Sequence, residues 1–332
     1  MNLNDFHKIQ DERERLKFLV HLAMAAPSSH NTQPWKFRLG DKIIDLWGDE
    51  KRTLPASDSN HRQFFVSLGC ALENILVALD YYGLPHKLTL FPDGREKFWA
   101  ARIKLEHLRP VASGRAHLAS AIAHRHTNRE EYDAVGIPKD FGDRIKKLAG
   151  SDLRIDLVED AARRDKIIAA VLDATRAAFN DKEFCWELSH WLKPSLKKYR
   201  DGMPGYNIGV PWLISFFMPH ALRRVNLSKP QTKMIEKQVR ATPAFLLIST
   251  RKDEPAAWLQ AGRVLERIWL MATQDGLKLG PLAAAIQIGE FHKDIQKVLD
   301  TDFRPQVFSR IGYAAKIPRP SPRLELEDAL IQ

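Results

Sequence analysis

Residues 66–84 read VSLGCALENILVALDYYGL and residues 259–277 read LQAGRVLERIWLMATQDGL. Laid over each other at an offset of 193 positions, Gly69 meets Gly262, Leu72 meets Leu265, Glu73 meets Glu266 and Ile75 meets Ile268. Both stretches close on Gly-Leu, at Gly83-Leu84 and Gly276-Leu277. Each places apolar residues at helical spacing, and a glycine followed by an apolar residue is how a helix ends on a left-handed cap. Self-similarity at one fixed offset marks a duplicated unit. The chain is therefore expected to hold two related halves, over 1–110 and 111–332, forming an internal pseudo-dimer.

Outward from these helices, each half is expected to run helix, short strands, long helix, final strand. In the first half the patterning predicts a helix over about 10–25, a hairpin KFRLGDKIIDLW turning at Gly40-Asp41, the long helix over about 61–82, and strands KLTLF and FWAARIKLE. In the second it predicts helices near 114–124, 139–149 and 161–179, strands LRIDLV and AFLLIST, the long helix over about 254–275, and a last strand QVFSRIGY. Helices and strands mix without strict alternation, which predicts an α+β fold with helices packed on sheets. Residues 181–240 have no counterpart in the first half. They carry Phe184, Trp186, Trp191, Tyr199, Tyr206 and Trp212 among prolines and glycines, with no regular pattern. So many aromatics argue against disorder, and a long ordered connection reads as a lid.

At 332 residues, 44% hydrophobic and 28% charged, the composition is that of an ordinary globular chain. No uncharged apolar run approaches the roughly 18 residues that a membrane span needs. The N-terminus MNLNDFHKIQDERERLKF places charges before any apolar stretch, unlike a secretory leader, so a cytoplasmic location and no membrane partner are expected. Two cysteines, Cys70 and Cys185, are too few for a disulfide framework or a cysteine-built metal site. The net charge of +10 attracts anions, but the basic residues are scattered rather than striped, so no nucleic-acid partner is expected. No GxSxG, HExxH, GxGxxG or GxxxxGK[ST] occurs, which leaves a hydrolase elbow, a zinc-protease helix, a Rossmann site and a P-loop without their sequence signals.

Residues 25–37, AAPSSHNTQPWKF, form a polar loop held between Pro27 and Pro34. On spacing alone this is either an elaborate cap and turn or a ligand site. The run Pro27-Ser28-Ser29-His30-Asn31-Thr32-Gln33-Pro34-Trp35 resembles the flavin-contacting loop of the nitroreductase family. A second family motif, Arg-x-Ser/Thr-x-Arg, is similar to Arg125-His126-Thr127-Asn128-Arg129, which opens the second half instead of the first. The terminal motif is similar to Gly312-Tyr313 followed by Ser321-Pro322-Arg323. With its motifs split between halves, the chain looks closest to the fused, Acg-like branch of the family.

Nitroreductases of the ordinary kind are homodimers with each flavin at the subunit interface. The resemblance therefore implies one composite FMN site per chain, with the mirror-related site lost, and either a monomer or a weak homodimer. It implies that Arg125, Arg129 and Arg323, with Thr127 and Ser321, hold the phosphate and the polar edge of the ring. Pro27, Ser28, Ser29, Asn31 and Gln33 would contact the flavin from the first half, and Gly280, Pro281 and Leu282 would bring backbone amides to its N5 and O4 edge. Guanidinium groups suit this work because they make charge-assisted, bidentate bonds to phosphate. An acidic residue common in the last motif is replaced by Ala283 or Ala284. The implied function is electron transfer from NAD(P)H through FMN to a small nitroaromatic or quinone-like acceptor, with no side chain required as acid or base. The alternative is a protein that sequesters flavin with little or no turnover.

Overall fold

The computed structural model describes residues 2–106, 114–196 and 198–331. The division expected near residue 110 falls outside the described residues. The first half carries α1 (Glu12–Ala23), the hairpin β1 (Trp35–Gly40) and β2 (Ile43–Gly48), the long α2 (Arg62–Tyr81), then β3 (His86–Leu90) and β4 (Trp99–Leu105). The second opens with a 3-10 turn, Ala116–Ala121, and continues through α3 (Lys139–Lys146), β5 (Leu153–Val158), α4 (Ala161–Asn180) and α5 (Lys182–Trp191). Short β6 (Leu192–Lys193) and β7 (Met203–Pro204) follow, then α6 (Trp212–Ser215), α7 (Met218–Arg224) and α8 (Ser228–Arg240). It ends with β8 (Ala244–Thr250), the long α9 (Pro255–Gln274), β9 (Lys278–Pro281), α10 (Ala284–Gln287), α11 (Phe291–Leu299), β10 (Arg304–Gly312) and α12 (Leu326–Ala329).

The duplication is visible in the topology. One antiparallel sheet has the order β1-β2-β4-β3 and the other β5-β8-β10-β9. In each, two strands precede the long helix, two follow it, and the last strand inserts beside the second. A common chain order and a common strand order make the halves two copies of one α+β unit.

The two long helices pack against each other at the centre, where the paired glycines of the repeat meet. A Cβ built on Gly69 would lie 2.1 Å from the Leu259 carbonyl oxygen, and one on Gly262 would lie 2.0 Å from that of Val66. Only hydrogen at both positions lets the backbones approach so closely. The Cys70 thiol donates to the Gly262 carbonyl at 3.2 Å across the same crossing. Both helices stop as the sequence predicts, on Gly83 and Gly276 at φ +63° and +78°. Helix α2 is long and apolar enough to cross a membrane, yet 89% of that stretch is buried inside the protein, as befits a core helix.

Three departures from the sequence reading matter for the site. Residues 181–240 are largely helical instead of irregular; the helices amount to a thin layer with a small core of their own around Leu188, Leu192 and Leu222. Residues 278–281 form an unpredicted strand at the edge of the second sheet. Finally, the C-terminal tail crosses to the first half, where the Ile331 amide donates to the Phe37 carbonyl at 2.8 Å. That crossing carries Ser321 and Arg323 over the loop at residues 27–34.

Candidate functional site

The loop after α1 is wound tightly. His30, Asn31 and Gln33 all have positive φ, at 50°, 57° and 51°. Such angles cost non-glycine residues energy and persist only where the surroundings over-determine them. Here the Ser28 hydroxyl accepts the Gln33 amide at 2.9 Å. The Asn31 side chain donates to the carbonyls of Gly202 at 3.1 Å and Pro322 at 3.0 Å, and accepts from Arg323 at 3.0 Å. Gln33 donates to the Arg200 carbonyl and accepts the Leu324 amide, both at 2.9 Å. Gln33, expected at the cofactor, is thus fully buried and occupied as a clamp between the loop, the insertion and the tail, and it lines neither cavity of the cleft.

The arginines converge from separate elements. Arg125 is buried, stacks over Trp269 at 4.6 Å and pairs with Glu266 at 3.2 Å. Arg125 and Arg323 both donate to the Ala25 carbonyl, at 2.8 and 3.0 Å, so their guanidinium groups share one corner. Arg129 donates to the Asn207 carbonyl at 3.1 Å instead of pairing with its neighbours, since Glu130 engages Lys316 and Glu131 engages Lys237. Pro27, Ser28, Asn31, Arg125, Thr127, Arg129, Ser321 and Arg323 all line a cleft of about 170 Å³. A contiguous cavity of about 440 Å³ adds Ser29, His30, Gly280, Pro281 and Leu282, and is walled on the far side by the insertion.

Charge in this corner is unbalanced. Repeat-related Glu73 is held by Arg263 at 3.2 Å and by Arg267 at 2.5 Å, whereas among the described residues Glu266 is ion-paired with Arg125 alone. Burial pushes the Glu266 carboxyl up to about 7 against the pull of Arg125. Burial, reinforced by Arg125, brings Arg323 down to about 9; burial and Arg310 bring Arg129 down to about 10. Several guanidiniums thus face a cleft whose lining, among the described residues, holds no carboxylate, an arrangement whose desolvation an anionic ligand would offset.

His30 is pushed down to about 4 by burial and by Arg129. A histidine whose folded value is depressed contributes stability that is present above its unfolded value of about 6.5 and lost as pH falls through about 4. The loss from His30 is expected to be no more than about 3 kcal/mol, because the cleft leaves the ring partly solvated. Asparagine tolerates the positive φ, so ligand-free His30→Asn should lose less stability than the parent between about pH 7.5 and about pH 4.5. Urea unfolding midpoints at the two pH values check this, and equal losses in both proteins would exclude His30 as the source.

With the geometry in view, relatives can be compared. The "Putative NAD(P)H nitroreductase Rv3131" of Mycobacterium tuberculosis (strain H37Rv) is 29% identical over 327 residues, 96% of this chain and 92% of that protein. The NAD(P)H nitroreductase of the same strain named acg, also given as putative, is 24% identical over 314 residues, 92% of this chain and 91% of its own. Over nearly its whole length this chain is similar to these Acg-like relatives named as nitroreductases. No family model matches it. The solved structure of the FMN and NADPH-dependent nitroreductase NfnB from a Sphigopyxis species is 16% identical, covering 65% of this chain and 98% of its own at a TM-score of 0.44.

Against the expectations drawn from this family, two further residues change role. Pro281 has no amide hydrogen and the Leu282 amide donates to the Phe308 carbonyl at 3.0 Å, so this segment offers the cavity a wall rather than these donors. Residues that the sequence reading missed include Met203, Arg319 and Arg310. The run Pro318-Arg319-Pro320-Ser321-Pro322-Arg323 held a signal for Arg319, since rigid proline spacing presents both arginines. A buried arginine within the apolar strand QVFSRIGY was likewise a signal: Arg310 donates to the carbonyls of Asn128 and Glu130 at 3.0 and 2.9 Å and so fixes the backbone of the Arg125–Arg129 motif. Met203 and Asn207 carried none, because only the folding of the insertion brings them in.

Proposed function

We propose that this chain binds FMN in the cleft between its halves and acts as an NAD(P)H-dependent oxidoreductase on a small nitroaromatic or quinone-like acceptor. The observation that carries the reading is the convergence of Arg125, Arg129 and Arg323 on one cleft whose lining, among the described residues, holds no carboxylate. The residues fit the group. Arg125 Nη1 and Arg323 Nε are buried without hydrogen-bond partners, which is a donor set suited to a phosphate. The names of the relatives support the same chemistry. Bound FMN would supply the two-electron redox step.

The chain's own residues then have positional work. Arg125 and Arg323 hold the phosphate, with the Thr127 and Ser321 side chains beside them. Arg129 would face the polar edge of the ring, where a cation would favour the reduced form. Ser28, Ser29 and the wall at Gly280–Leu282 border the ring, and the insertion, bonded through Asn207 to the Arg319 carbonyl at 2.8 Å, keeps water from its face. Both halves supply groups to one site, so a single chain suffices and no second copy is required.

The test mixes purified, flavin-loaded protein with NADPH and a nitroaromatic or quinone, following nicotinamide oxidation. Turnover above that of free FMN is expected. Flavin retained without turnover would make the protein a flavin holder instead, and a preparation unable to take up FMN would remove the reading altogether.

A further inference from the structure

The insertion ends in an apolar surface that the site does not use. In the segment Pro211–Phe217, Trp212, Leu213, Ile214 and Phe217 are 55%, 65%, 52% and 72% exposed. Helix α7 turns Leu222 inward to the small core, with Met218 packed against it, and the segment before it is left outside. Single exposed apolar residues need no explanation, but a contiguous run of them marks a docking surface. Between Pro211 and Ile235 there are four Lys or Arg residues, Arg223, Arg224, Lys229 and Lys233, and no Asp or Glu. All four are exposed.

The geometry points to this surface as an interfacial anchor for an anionic lipid bilayer, with the aromatic segment seated among the acyl chains and the following basic residues on the headgroups. Large apolar side chains beside exposed cations are what binding to such a surface requires, and each cation near an anionic leaflet adds to it. A second copy fits less well. A symmetric contact would bring the basic stretch of one chain near the same stretch of the other, with no acid in residues 211–235 to offset the repulsion. The neighbouring cavity agrees with a lipid source: Val210, Met218 and Leu222, from and beside the same segment, line the large cavity continuous with the arginine cleft. An apolar acceptor dissolved in the bilayer would then enter from the docked face, a consequence that rests on the proposed oxidoreductase reading while the docking itself does not. This runs against the sequence expectation of no membrane partner, which rested on the lack of a spanning run and of a leader; an interfacial anchor needs neither.

The experiment is co-sedimentation of the flavin-loaded protein with vesicles of phosphatidylcholine alone or mixed with phosphatidylglycerol, alongside sedimentation velocity without vesicles. Binding to the mixed vesicles is expected, weakening as salt rises. Leu213→Asp/Phe217→Asp should reduce it about tenfold or more, as should Arg224→Glu/Lys233→Glu, with the flavin spectrum unchanged in both because these side chains are exposed and line neither cavity of the cleft. No binding to the mixed vesicles, or binding indifferent to both variants, would overturn the proposal. A dimer abolished by Leu213→Asp/Phe217→Asp, without vesicle binding, would assign the surface to a second copy instead. Failure of the oxidoreductase reading would leave vesicle binding intact, so the two are told apart.

Discussion

Gly262→Ala is expected to be among the most destabilising single-methyl additions in this protein. The new Cβ would sit 2.0 Å from the Val66 carbonyl oxygen and 2.7 Å from its carbonyl carbon, both backbone atoms that cannot rotate away. The helices α2 and α9 would have to separate along the centre of the core that joins the two halves. Overpacking typically costs about 1–3 kcal/mol, and backbone against backbone belongs at or beyond the top of that range. Because a domain's total stability is only about 5–15 kcal/mol, a fall of several degrees in Tm is expected, with poor soluble yield. Gly69→Ala should do the same from the other helix, where the contact is the Leu259 carbonyl at 2.1 Å. Gly94, whose Cβ would meet nothing within 4 Å, is the control. Thermal unfolding of the three variants checks the argument, and a Gly262→Ala protein as stable as Gly94→Ala would show that the helices do not cross there.

The second large effect separates two arginines that share a corner. Arg323→Ala removes a cation that has no ion pair with a carboxylate among the described residues, so flavin retention should be lost while the fold survives. Arg125→Ala should damage both, because it strands Glu266 in the core; breaking a buried pair by removing one partner costs about 3–5 kcal/mol. Glu266 can escape part of that cost by protonation. Its carboxyl already sits near 7, so stability associated with its neutral form is present at low pH and lost as pH rises through that value. The Arg125→Ala protein should accordingly be less impaired at about pH 6 than at about pH 8. Adding Glu266→Gln should restore the fold without restoring flavin. Urea unfolding and the flavin absorbance of the purified proteins measure the two properties independently. Full flavin content in Arg323→Ala would remove the phosphate corner from the proposal, and an unrescued double variant would remove the ion pair as the cause of instability.

The reach of the sequence can be judged from these residues. Gly69 and Gly262 were readable as equivalent because a duplication leaves its offset in the chain, and their backbone contact follows from why glycine was kept at both. The loop at 27–34 and the run at 125–129 were readable as motifs through their resemblance to the nitroreductase family, since spacing alone left an elaborate cap and turn equally open for the loop. Gln33 shows where that reading stopped. Its amide has the same chemistry whether it meets a ligand or clamps Arg200 to Leu324, and only the fold chose between them.

What the amino-acid order determined by itself is the repeated unit, the strand and helix periodicities, and the set of arginines able to meet an anion, because these are local or recur at one fixed separation. The tertiary structure alone decided that Glu266 is ion-paired with one cation among the described residues while Glu73 has several, that the insertion is a helical wall with an exposed apolar edge, and that the tail brings Arg323 onto Ala25. Each of these depends on contacts between residues many tens of positions apart. Their energies come from burial and mutual charge, quantities that exist only once the chain has closed.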